Sequence, residues 1–144
     1  MGDYIKLHEA AVNHSSAGVL LALESVDANI QDEYGWSCLH RVLSVPDEFS
    51  EANTVMITRI LLERGADTNL VDRRGRSALH AAAVHNKPRT GEMLIAHGGV
   101  VDSQDNTGHT PLHQAASIGN AEFAEMLLKN NADPNIHDNK KRLL

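Results

Sequence analysis

At 144 residues the chain has the length of one domain or one short repeat array, enough for a continuous core. Its 3% aromatic content leaves the interior to Leu, Ala, Val and Ile, and its net charge of −6 argues against wholesale nucleic-acid binding. A single cysteine, Cys38, excludes an internal disulfide, and no apolar run reaches the ~18 residues of a membrane span.

The first segment carries Leu7-His8 on an expected helix. It lacks the turn that opens the later copies and one residue before its second helix, as a capping unit would. The next unit opens at Asp32, with Glu33, Tyr34 and Trp36 on its turn, and enters a short helix at Ser37-Cys38-Leu39-His40. It is seven residues longer than its neighbours, and the extra length is expected as a loop between its helices, around 44–54. Lengthening a loop costs only about 0.6 kcal/mol per doubling, so stability does not forbid it. In the third unit Asp72-Arg73-Arg74-Gly75 reads as a tight turn, with glycine where a positive φ is needed. Ser77 stands at the N-cap of a helix rich in alanine, and Pro88 stands at the start of the second helix, where its missing N–H costs nothing. Thr90-Gly91 leave that helix short of aliphatic side chains, so it is expected to be the weakest. The fourth unit repeats the design with Asp105 to Gly108, the cap Thr110, Pro111 at the first helical position, and a second helix from Phe123 to Leu128. A fifth turn begins at Asp138.

Leu-His pairs end at His8, His40, His80 and His113, at spacings of 32, 40 and 33 residues. Asp32, Asp72, Asp105 and Asp138 follow at spacings of 40, 33 and 33. Asn29, Asn69 and Asn135 each precede an aspartate by three residues, and Asp102 holds that place in the remaining unit. Series locked in phase mark an internal repeat.

On these residues the chain resembles the ankyrin family. Thr110-Pro111-Leu112-His113 followed by Ala115-Ala116 carries the resemblance, with near matches at Ser77-Ala78-Leu79-His80 and Ser37-Cys38-Leu39-His40. Leu61 through Asn69 is similar to the family's second-helix ending. The resemblance implies an all-α repeat fold: a helix-turn-helix solenoid with short β-turn or hairpin loops, forming one domain over 1–144. Its units are 1–31 (capping), 32–71 (with the insertion), 72–104 and 105–137, and 138–144 is the start of a fifth unit or a tail. It also implies that the four motif histidines bond the backbone of the turns.

The function implied is protein binding along the concave face and turn tips, without catalysis or cofactor. The residues placed there are Tyr34, Trp36, Arg73, Arg74, Arg76, His85, Thr107 and His109. Glu33, Ser44, Val45, Val84, Asn106, Ser117 and Ile118 map to the same side. Trp, Tyr and Arg are the types that dominate interface energetics, which points to an acidic or aromatic-containing partner segment. The purely structural alternative is that Arg76 stacks on Trp36 between layers, worth about 0.5–1 kcal/mol. The basic residues Arg73, Arg74, Arg76, Lys87 and Arg89 of one unit, with Lys140, Lys141 and Arg142, suit an acidic protein better than nucleic acid in so acidic a chain. No Cys/His spacing suits zinc, and Cys38 at a helix start reads as a buried, inert thiol. Two further readings stay open: Asn29, Asn69 and Asn135 as hydroxylation sites, or the array as a structural spacer within a larger chain. A monomer is expected, with no membrane contact. The N-terminus lacks the basic start and apolar stretch of a leader, so a cytoplasmic or nuclear site is expected, or host cytosol for an effector.

Overall fold

The computed structural model describes residues 3–44 and 51–140. Among these residues there are eight helices and no strand. They are α1 (Asp3–Val12), α2 (Ser16–Ala22), α3 (Cys38–Leu43), α4 (Glu51–Glu63), α5 (Ala78–Val84), α6 (Pro88–Ala96), α7 (Pro111–Ile118) and α8 (Ala121–Lys129). Most are too short to hold together in water alone, so packing must stabilise them. Helices α1, α3, α5 and α7 form one row and α2, α4, α6 and α8 a second. Each helix packs on the other member of its pair and on its equivalents in adjacent pairs. The seam between the rows is filled by Leu7, Leu39, Leu43, Leu61, Leu79, Leu94, Phe123 and Leu127, all buried.

Two motif histidines, His40 and His80, lock their helices to their own caps and to the next unit, while His113 holds its own cap. Nδ1 of His40, His80 and His113 accepts the backbone N–H of Ser37, Ser77 and Thr110, each at 3.1 Å. Nε2 of His40 meets the carbonyl of Arg76, and Nε2 of His80 that of His109, both at 2.8 Å. A carbonyl only accepts, so the ring proton sits on Nε2 and the imidazole is neutral. His8 departs from this pattern, because Ile5 stands where the others have a capping hydroxyl. It lies buried with Nδ1 3.8 Å from Asp32.

The helix expected to be weakest has its missing bulk supplied from outside. Gly91 and Thr90 are buried on α6, and a Cβ on Gly91 would lie 2.7 Å from the Phe123 ring and from Met126 Cε. The ring of α8 occupies the space that an aliphatic side chain on α6 would otherwise fill.

The sequence led us to expect a loop over 44–54, but part of the insertion is helical. Helix α4 has 13 residues against 9 in each of α6 and α8, so residues 51–54 lengthen a helix. Residues 45–50, with Val45, Asp47, Glu48 and Phe49, lie outside the described residues. The extension places Glu51 against the next pair, where its Oε1 accepts the N–H groups of Arg89 at 2.8 Å and Thr90 at 3.2 Å. A carboxylate at that helix start satisfies free donors and complements the dipole.

Candidate functional site

Each turn is folded by the aspartate that opens it. Asp32 Oδ1 accepts the N–H groups of Tyr34 and Trp36 at 2.9 Å. Asp72 does the same for Arg74 at 2.8 Å and Arg76 at 2.9 Å, and Asp105 for Thr107 and His109 at 2.9 Å. Gly75 and Gly108 take φ of 74° and 82°, and a Cβ on Gly75 would sit 3.0 Å from the Asn106 nitrogen. The turns need glycine for both reasons. Successive turns are then bonded tip to tip. The Arg73 N–H donates to the Tyr34 carbonyl at 3.0 Å, Asn106 to Arg74 at 2.9 Å, and Asn139 to Thr107 at 2.9 Å. The tips therefore form one ribbon, and their side chains project from a rigid edge.

Charge on that edge is arranged in two classes. Burial raises the Asp32 carboxyl, but the Trp36 and Tyr34 N–H groups and the Arg41 guanidinium outweigh it and hold Asp32 below its ordinary 3.8. Asp105 is held low in the same way, by the Thr107 hydroxyl and the N–H groups of His109 and Thr107. Arg41 pairs with Asp32, and its guanidinium lies 4.6 Å from the Trp36 ring centroid. Arg76 does not stack on Trp36. It holds Asp72 instead, through Nε at 3.1 Å and Nη2 at 3.0 Å, because its own turn aspartate lies four residues back within easy reach. Arg73 and Arg74 are exposed at the tip, and among the described residues neither guanidinium has an ion-pair partner.

The eight residues singled out from the sequence border three adjoining clefts. Tyr34, Trp36, Arg73, Arg74 and Arg76 line an outer cleft of about 260 Å³. The three arginines continue into a second, of about 450 Å³, closed by Thr107 and His109. His85 lies on an inner cleft of about 210 Å³ with Trp36, Ala81 and Val84. His109 is held between Thr107 Oγ1 at 2.9 Å and Asp138 at 3.3 Å. The basic residues of the third unit do not form one patch. Lys87 is buried with Nζ 3.4 Å from Thr54, and Arg89 stands at the start of α6 in the other helix row. Sequence reading missed Arg41 as a partner of Trp36. The signal was a lone arginine where the equivalent positions hold Ala81 and Gln114.

Asn29 and Asn69 act as staples between units. Asn69 donates to the Gly98 carbonyl at 2.9 Å and accepts the Val100 N–H at 3.0 Å, and Asn29 spans Gly65 and Asp67 in the same way. Asn135 is exposed, and among the described residues its side chain makes no such bridge. Two bonds at roughly 0.5–1.5 kcal/mol each make Asn69→Ala destabilising by about 1–3 kcal/mol, measurable by urea denaturation, with a loss below about 0.3 kcal/mol refuting the staple.

Cys38 is fully buried, and burial pushes its thiol up to about 12, far from a reactive thiolate. Among the described residues no three His, Cys, Asp or Glu side chains are grouped to hold a metal ion, and no helix is long and apolar enough to cross a membrane.

The family model for ankyrin repeats, in three copies, matches residues 48–138. The SMC5-SMC6 complex localization factor protein 1 of Homo sapiens is 32% identical over 98 residues, which cover 66% of this chain and 9% of that protein. The Bos taurus protein of the same name is 31% identical over 98 residues, with the same coverage. The match thus spans under a tenth of the length of these relatives. With its paired helices, capped turns and matching family model, the chain belongs to the ankyrin-repeat family, whose members are generally protein–protein interaction modules.

Proposed function

We propose that this chain is a non-catalytic docking module that binds a partner protein along its concave face and turn tips. The contact residues are Tyr34, Trp36, Arg73, Arg74, Arg76, His85, Thr107 and His109, and the partner offers an acidic or aromatic-containing segment. One observation carries this reading: Arg73 and Arg74, without an ion-pair partner among the described residues, stand on a hydrogen-bonded ribbon between clefts, and the outer cleft is walled by Trp36 and Tyr34. Rigid presentation of Trp, Tyr and Arg lowers the ordering cost of association, and these types dominate interface energetics. The relatives are named for localising a complex. A docking arm serves such a role, and by that likeness this chain positions a protein assembly.

The test is a pull-down from extract of the chain's own organism, with mass spectrometry, followed by affinity measurement on the captured protein. The Trp36→Ala/Arg73→Ala double variant weakens binding at least about tenfold, the scale of a hot spot. Capture of no specific protein, or unchanged affinity of the double variant, refutes the reading.

A further inference from the structure

Resting on that reading, we infer that the partner segment is bipartite: one large apolar side chain enters the inner cleft between Trp36 and Val84, and carboxylates close to it in sequence pair with Arg73 and Arg74. Of the four arginines on this edge, two are already neutralised in place, Arg41 by Asp32 and Arg76 by Asp72. Of these two, Arg76 serves as a wall of both the inner and the outer cleft. The charge on offer is that of Arg73 and Arg74, exposed and held by a tip whose backbone is bonded on both sides, to Tyr34 and to Asn106. The chain as a whole carries −6, so this local positive site attracts an acidic segment that the rest of the molecule repels.

The inner cleft asks for different chemistry. Trp36, Ala81 and Val84 line it with apolar surface. His40 and His80 also border it, but their ring nitrogens are committed to their caps and to the carbonyls of Arg76 and His109. At about 210 Å³ the cleft is smaller than the roughly 300–1,000 Å³ of pockets for drug-sized ligands, and suits one side chain. Trp36, Asp72 and Arg76 line both this cleft and the outer one, so an apolar residue and its acidic neighbours reach their sites together.

A random twelve-residue peptide library selected on the full chain tests this. Trp36 is the only tryptophan, so its fluorescence reports binding of the selected peptides beside the cleft. The expected peptides are net negative, with a Leu, Met or Phe within two residues of Asp or Glu. Their affinity falls at least tenfold in Arg73→Glu/Arg74→Glu and in Val84→Glu, falls less in Arg73→Gln/Arg74→Gln, and changes less than twofold in Arg64→Glu, an exposed residue just after α4 that lines none of these clefts. Neutral or basic peptides, an empty selection, or affinity indifferent to the arginine pair overturn the inference. So does a single-stranded oligonucleotide that displaces the peptides at equal concentration, since the site would then read anions without regard to the apolar anchor. Peptides that bind yet ignore the arginine pair leave protein docking standing, whereas failure of the extract pull-down removes both readings.

Discussion

Phe123→Ala lowers the unfolding free energy by about 3–5 kcal/mol, the range for truncating a fully buried aromatic side chain. Phe123 is completely buried on α8 and is the largest fully buried side chain among the described residues. Its edge lies over Gly91 of α6, which has no side chain to relax into the vacated space. In a stacked array, stability is close to a sum of units and nearest-neighbour interfaces, so the damage concentrates where the third and fourth helix pairs meet. Urea denaturation followed by circular dichroism gives the total loss, while Trp36 fluorescence follows the N-terminal half separately. Gly91→Leu is the mirror-image change. It overpacks the same space and costs about 1–3 kcal/mol alone, but combined with Phe123→Ala it recovers part of the loss. A Phe123→Ala loss below about 1 kcal/mol, or additive effects in the double variant, refutes this account of the interface.

Thermal stability falls as pH drops from 7 to 5. Burial lowers His40 and His80 below their ordinary 6.5, outweighing the Arg76 and His109 carbonyls and the nearby aspartates. Burial also lowers His8, against the pull of Asp32, and His14, where Lys87 adds to the effect. Below 6.5 the unfolded chain takes up protons that the folded chain refuses, so the stabilisation is complete above 6.5 and is lost as pH falls beneath it. The geometry gives the same sign, since a proton on Nδ1 of His40 or His80 would face the N–H it now accepts from. Each such imidazole contributes at most about 1.4 kcal/mol per pH unit, or roughly 2–5 °C. Asp32 and Asp105, held below 3.8, add a second loss of the same sign at lower pH. Melting curves at pH 7, 6 and 5 check this, and a melting temperature that is flat or rises on acidification contradicts it.

The organisation of the chain was legible from residue types and spacing because the elements are local. A hydroxyl cap three residues before a histidine, an aspartate four residues before the turn's end, and a glycine within the turn each act over a handful of bonds. The outward placement of Tyr34, Arg73, Arg74 and Thr107 followed from the same local geometry. Spacing also located the extra length in the second unit, but not that residues 51–54 are helical, because their helix is secured by contacts in the next pair.

The amino-acid sequence by itself determined the repeat, the caps, the turns and the identity of the edge that carries Trp36 and the arginines. Only the tertiary structure decided which arginines on that edge are paired among the described residues. Arg41 and Arg76 have the same chemistry as Arg73 and Arg74, and the difference lies in which carboxylate comes within reach once the turns are stacked. It likewise decided that Lys87 is buried and that Phe123 fills the space beside Gly91. Both depend on contacts between side chains some thirty residues apart, where periodicity specifies the layer but not the partner.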